Sequence, residues 1–101
     1  MENDKAEMKI EIKVDESMAT GVFSNAANIT HSSDEFIVDF LFINPSSPPG
    51  FGKVVSRVIL SPGRAKRLQE ALNINIRKYE EKFGEIELFK PPFEPGKNII
   101  Q

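Results

Sequence analysis

Residues 35–44, Glu-Phe-Ile-Val-Asp-Phe-Leu-Phe-Ile-Asn, constrain this chain more than any other stretch. Successive side chains of a strand point to opposite faces. Phe36, Val38, Phe40 and Phe42 therefore share one face, and Ile37, Asp39, Leu41 and Ile43 share the other. Both faces are largely apolar, as in a strand covered on two sides. Whatever the chain folds into must place one layer above this strand and another below it.

Its neighbours read as strands too. A long hairpin loop, Pro45 to Gly52, leads to an apolar strand from Lys53 to Leu60. Antiparallel pairing in the simplest register sets Asp39 opposite Arg57, Leu41 opposite Val55 and Ile37 opposite Ile59. The same register sets Val38 against Val58 and Phe36 against Leu60 on the other face. Opposite charges facing one another across strands add about 0.2–1 kcal/mol. Upstream, Met18 to Thr30 reads as a weaker strand, with Gly21 marking a bulge or close backbone approach, and Ser32-Ser33-Asp34 as a turn. Met8, Ile10, Ile12 and Val14 alternate with Glu7, Lys9, Glu11 and Lys13, the pattern of a strand with one dry and one wet face. Those charges would discourage unwanted pairing at a sheet edge.

A helix is expected directly after the last strand. Ser61 suits an N-cap and Pro62 the first helical position. Ala65, Leu68, Leu72, Ile76, Tyr79 and Phe83 recur at helical spacing, and Gly84 stands where a left-handed cap belongs. From Pro62 to Phe83 the helix would run ~33 Å, enough to lie along strands of roughly 27 Å. In the tail, Pro91, Pro92 and Pro95 forbid a helix. The expected fold is α+β: a four-stranded antiparallel meander, one long C-terminal helix and an extended tail. Residues 1–6 are expected to be disordered, 7–84 to form a single domain, and 85–101 to make the extended Pro-rich tail.

One helix is about 10 Å wide, roughly half the width of four strands at ~4.8 Å spacing. It can cover one face of the sheet and not the other. The uncovered face would carry Ile37, Leu41, Ile43, Val55 and Ile59, with Asp39 and Arg57 among them. Such a patch points to an interface, and a second copy of the chain is the expected cover. The tail or a client polypeptide are the alternatives. Asp39 and Arg57 would have to pair there, because an unpaired buried charge is very costly.

Composition narrows the chemistry. The 101 residues contain no cysteine and one histidine, which removes disulfides, thiol catalysis, zinc fingers and any His-based metal cage within one chain. No metal or cofactor is expected. A hydrophobic fraction of 40% places the chain among globular proteins, not disordered ones. A net charge of -2 argues against general nucleic-acid binding. No nucleophile–base pair is visible; His31 reads as a surface turn residue and Asp39 with Arg57 as a structural ion pair, so no enzymatic activity is expected. The one cationic cluster, Ser61 followed by Arg64, Lys66 and Arg67, lies at the positive end of the helix dipole and could hold a phosphate or carboxylate. The opening residues are polar, without the apolar core of a secretory signal, and no apolar run approaches the roughly 20 residues of a membrane span. A cytoplasmic location is expected.

Several segments together resemble a small prokaryotic family catalogued as domain of unknown function 3467. They are Gly21-Val22-Phe23-Ser24-Asn25, Glu35 through Phe40, Ser56 through Pro62, Ala65-Lys66-Arg67-Leu68, Tyr79-Glu80 and Phe83 through Ile86. The resemblance spans roughly residues 8 to 88 and implies no catalytic residues. Gly63-Arg64 departs from the acidic or polar pair the family would place after Ser-Pro, so an anion site is not implied as a family trait. The order of strands and helix is also similar in topology to the export chaperone SecB, which implies an alternative role in binding extended polypeptides. The leading expectation is a non-enzymatic protein-interaction domain acting as a homodimer or small oligomer.

Overall fold

The computed structural model describes residues 8–46 and 48–89, and the backbone of residues 99–100. A single 3-10 turn at Glu16–Met18 precedes β1 (Ala26–His31), β2 (Phe36–Asn44), β3 (Phe51–Leu60) and α1 (Pro62–Phe83), and a two-residue strand, β4 (Ile99–Ile100), closes the order. All pairings are antiparallel, and the strands lie in the order β3-β2-β1-β4. The class is α+β, as the sequence predicts.

The meander has three strands instead of four. Met8–Val14 joins no sheet in this chain, although its alternation is that of a strand. A segment charged along one face does not extend a sheet that is apolar on both, because Lys9, Glu11 and Lys13 would be laid against Ile and Val side chains. The expected strand 18–30 also shortens to Ala26–His31. Met18 belongs to the 3-10 turn, and Gly21 has a φ of 74°, which turns the backbone before the ladder can start. The expected tail contributes β4, whose Ile100 and Ile99 pair with Ala27 and Asn28. Residues 1–6 and most of the tail, 90–98, lie outside the described residues.

The β2–β3 register agrees with the cross-strand chemistry at Phe36↔Leu60, Ile37↔Ile59, Val38↔Val58 and Asp39↔Arg57. It then slips. A bulge between Phe40 and Leu41 brings Leu41 opposite Val54 and leaves Val55 as the extra residue. Without the bulge, β3 would present Val54 to the opposite face. β3 starts at Phe51, two residues earlier than expected, because Gly52 and Phe51 continue the ladder opposite Ile43 and Asn44.

β1 ends short of the far end of β2, and Asn25 fills the gap. Its Nδ2 donates to the Ile43 carbonyl at 3.0 Å, and its Oδ1 accepts from the Ile43 N–H at 2.9 Å. The carboxamide thus replaces a residue of the missing strand. At the other end, Ser32 N–H donates to the Glu35 carbonyl at 2.9 Å and closes the β1–β2 turn.

The helix has the expected bounds. Ser61 is extended (φ -66°, ψ 158°), as a residue before proline prefers, and its hydroxyl accepts from the Arg64 N–H. Gly84 has a positive φ of 98°, but its ψ of 167° makes the cap extended instead of left-handed helical. Only glycine occupies that region readily. The expectation that the helix lies along the sheet is not met. No residue of α1 is buried, and its main contact with the sheet is a small one with β3. The link from Leu60 to Pro62 is a single residue, Ser61.

As a result, the described residues bury very little. Ala26, Ala27 and Asp39 are the buried ones, and no large side chain is fully enclosed. Replacing Asn25 with Ala removes both bonds to Ile43 and is expected to lower stability by about 1–2 kcal/mol in a urea titration with unchanged slope. A midpoint equal to wild type would show that water replaces the carboxamide without loss.

Candidate functional site

The register assembles one face from three strands. Ile37, Asp39, Leu41 and Ile43 of β2 stand beside Ile59, Arg57 and Val54 of β3, and beside Ala26, Asn28 and Thr30 of β1. Six of the seven interface residues expected from sequence share it: Ile37, Asp39, Leu41, Ile43, Arg57 and Ile59. Val55 is the bulged residue and has no ladder partner, and Val54 stands opposite Leu41. No pattern of residue types marks that slip, so Val54 is legible only from the ladder.

Asp39 sits at the centre of the face and is 6% exposed. Arg57 reaches it with both prongs, Nε to Oδ1 at 2.6 Å and Nη2 to Oδ2 at 3.0 Å. This fork-to-fork geometry satisfies both carboxylate oxygens from the facing strand. The Arg57 hydrogen bonds hold the Asp39 carboxyl below its ordinary value; burial opposes them, and the attraction of the guanidinium charge assists. Arg57 is pushed upward by the same bond and the same attraction. Its side chain remains 59% exposed, a lid of charge over the acid.

Around this pair the surface is open and apolar. Ile59 is 57% exposed and Val54 is exposed as well. Toward the β2–β3 loop a shallow hollow of about 470 Å³ is lined by Leu41, Ile43, Pro45, Phe51 and Val54 among others. The opposite face is also incompletely covered. Residues 17–24 cross part of it, forming a hollow of about 460 Å³ with Phe40 and Ser56, and the Phe23 ring meets Phe42 edge-on at 6.4 Å. Phe40, Phe42 and Val58 still reach solvent there. On α1, Leu68, Leu72, Ile76, Tyr79 and Phe83 form an exposed stripe that the list of expected interface residues omitted. Its signal was present in the helical spacing; what sequence could not show is that the stripe stays free of the sheet.

The cationic cluster at the start of α1 is less convergent than its spacing suggests. Ser61 is engaged in capping Arg64 N–H, and Arg67 pairs with Glu70 at 3.3 Å. Lys66, Arg67, Glu70 and Gly63 line a shallow hollow, but Arg64 does not. A carboxylate from the same helix already answers part of the charge, so the four residues do not converge as an anion site. His31 stacks on Phe36 with ring centres 5.3 Å apart. Among the described residues, no three acidic or histidine side chains gather as a metal would need, and no helix is long and apolar enough to cross a membrane.

A family described as "Protein of unknown function (DUF3467)" matches residues 1–88. No curated protein and no solved structure matches the chain.

The depressed Asp39 pKa has a pH consequence. The pairing contributes stability that is present above the ordinary carboxylate pKa, about 3.9, and is lost as pH falls through the lower folded value. Asp39→Asn is therefore expected to be less stable than wild type at neutral pH, with the difference closing below about pH 4. Denaturant titrations at several pH values check this; a constant difference from pH 7 to 3 would assign the stability to something other than the charge.

Proposed function

Because the chain belongs to the DUF3467 family, whose description assigns no activity, we propose a function from the surface itself: a non-enzymatic protein-interaction domain that works as a homodimer or small oligomer. The observation that carries this reading is how little the described residues bury. Ordering a residue's backbone costs about 1–2 kcal/mol, and two buried alanines offset almost none of it. Apolar side chains such as Ile59, Val54, Leu72 and Phe83 each gain about 1.5–3 kcal/mol on full burial. A second copy supplies the same surfaces again and covers them by symmetry, which is the usual route to closed assemblies. Ile37, Leu41, Ile43, Ile59 and the exposed Arg57 form the interface in this reading, with Val54 added and Val55 at its margin. The Asp39–Arg57 pair then fixes polar register within an otherwise greasy contact.

The helix gives independent support. Most helical stability in proteins comes from packing an apolar face. Cations at the start of α1 and Glu80 and Glu81 near its end oppose the dipole, while Lys82 in the last turn favours it. A partner surface is what the stripe lacks.

A second reading is a SecB-like chaperone or adaptor that captures extended polypeptides on the same uncovered faces. It is favoured by apolar surface lying open on both sides of one sheet. The two readings separate experimentally. Self-association predicts a sedimenting species of about twice the chain's 11.4 kDa and a melting temperature that rises with concentration. Ile59→Asp, at a position with space in the single chain, is expected to shift the species toward monomer and weaken helical signal. A cooperatively folded monomer at every concentration would overturn the proposal. Suppression of a denatured client's aggregation would favour the chaperone reading, and no suppression at several-fold excess would remove it.

A further inference from the structure

Met8–Val14 is the strand pattern that the sheet leaves unused. Its apolar residues are among the most open in the chain, with Ile12 86% exposed, and its backbone joins no ladder. The segment cannot extend either sheet edge comfortably. The β1 edge is taken at Ala27 and Asn28 by β4. The β3 edge belongs to a sheet apolar on both faces, against which the row Lys9, Glu11 and Lys13 has no match. What does match that row is the same row reversed.

We infer that Met8–Val14 pairs with the same segment of a second copy, antiparallel and centred on Ile12. The inference rests on the self-association proposed above and names the strand that mediates it. About a two-fold axis at Ile12, Glu11 faces Lys13 and Lys9 faces Asp15, each pair occurring twice. On the other face Ile12 meets Ile12 and Ile10 meets Val14. Every charged residue of the wet face from Lys9 to Asp15 thereby gains an opposite partner, and Ile10, Ile12 and Val14 gain apolar neighbours, while Met8 falls opposite Glu16. Parallel pairing in register would set Lys9 on Lys9, Glu11 on Glu11 and Lys13 on Lys13, which is repulsive throughout. The wet-face charges thus act as a key: they exclude most strands and accept their own reverse. The resulting ribbon has one side that is apolar from Ile10 to Val14 in both copies, which can lie on the surface left open by each sheet. A two-stranded ribbon needs such a layer to be stable.

The absence of cysteine makes the register directly testable. Facing strand residues bring their Cα atoms to about 4.5–5.5 Å, within disulfide range. Ile12→Cys is expected to form a disulfide-linked dimer on mild oxidation. Ile10→Cys and Val14→Cys are expected to link to each other when mixed and not to themselves. Glu11→Lys should weaken association roughly tenfold, and Glu11→Lys combined with Lys13→Glu should restore it. A disulfide at Ile10→Cys alone, or a double variant no better than the single, would overturn this register. A chain that self-associates without linking at Ile12→Cys would overturn the strand pairing and leave self-association standing. A monomer at all concentrations would overturn both.

Discussion

A sheet that is apolar on both faces needs two further layers, and the described residues supply only the partial cover of 17–24 on one face. The consequence follows from geometry as much as from composition. β3 passes into α1 through Ser61 alone, and Ser61 is held extended by the proline after it. The helix that follows makes only a small contact with β3. The residues before β1 reach across part of one face, where Phe23 meets Phe42, and then stop. Sheet, helix and Met8–Val14 are each locally well formed, and each presents an apolar side to solvent. Their local signals are mutually consistent, and among the described residues no neighbour spans the width of the sheet.

Asp39 and Arg57 show how the same sheet tolerates charge. A lone aspartate in the middle of an apolar strand would be costly. Here the facing strand brings a guanidinium to hydrogen-bond distance of both oxygens, and the long Arg57 side chain keeps its outer part wet. The pair therefore needs no burial to be satisfied, and it survives whether the face is open or covered. It also ties the register of β2 and β3 to one position, because a slip of one residue would carry Asp39 and Arg57 to opposite faces.

Much of this was legible in the amino-acid sequence, and the boundary of legibility is physical. The alignment of Phe36, Ile37, Val38 and Asp39 with Leu60, Ile59, Val58 and Arg57 follows from side-chain pairing, because only one register makes both faces coherent. The helix bounds follow from Ser61, Pro62 and Gly84, whose backbone preferences are local. The bulge at Val55 was not legible: Val54 and Val55 are the same residue type, and either can face Leu41. The site inherits that gap, since Val54 and not Val55 pairs with Leu41. The strand count failed for a related reason. Alternation at Met8–Val14 reports which side of a strand is dry, and says nothing about which strand lies beside it. The placement of α1 failed because amphipathicity shows that a helix wants cover without saying from which chain.

Met8–Val14 and the stripe on α1 have exposed apolar sides, whereas residues 99–100 of the expected tail add a short strand beside β1. The self-association proposed above is one way to complete the exposed faces. Antiparallel strands are suited to such completion, because an edge, a half-wet ribbon and a helical stripe can each be met by an identical partner about one two-fold axis. Under the proposed self-association, fold and assembly become one equilibrium, in which the stability of the sheet rises with protomer concentration.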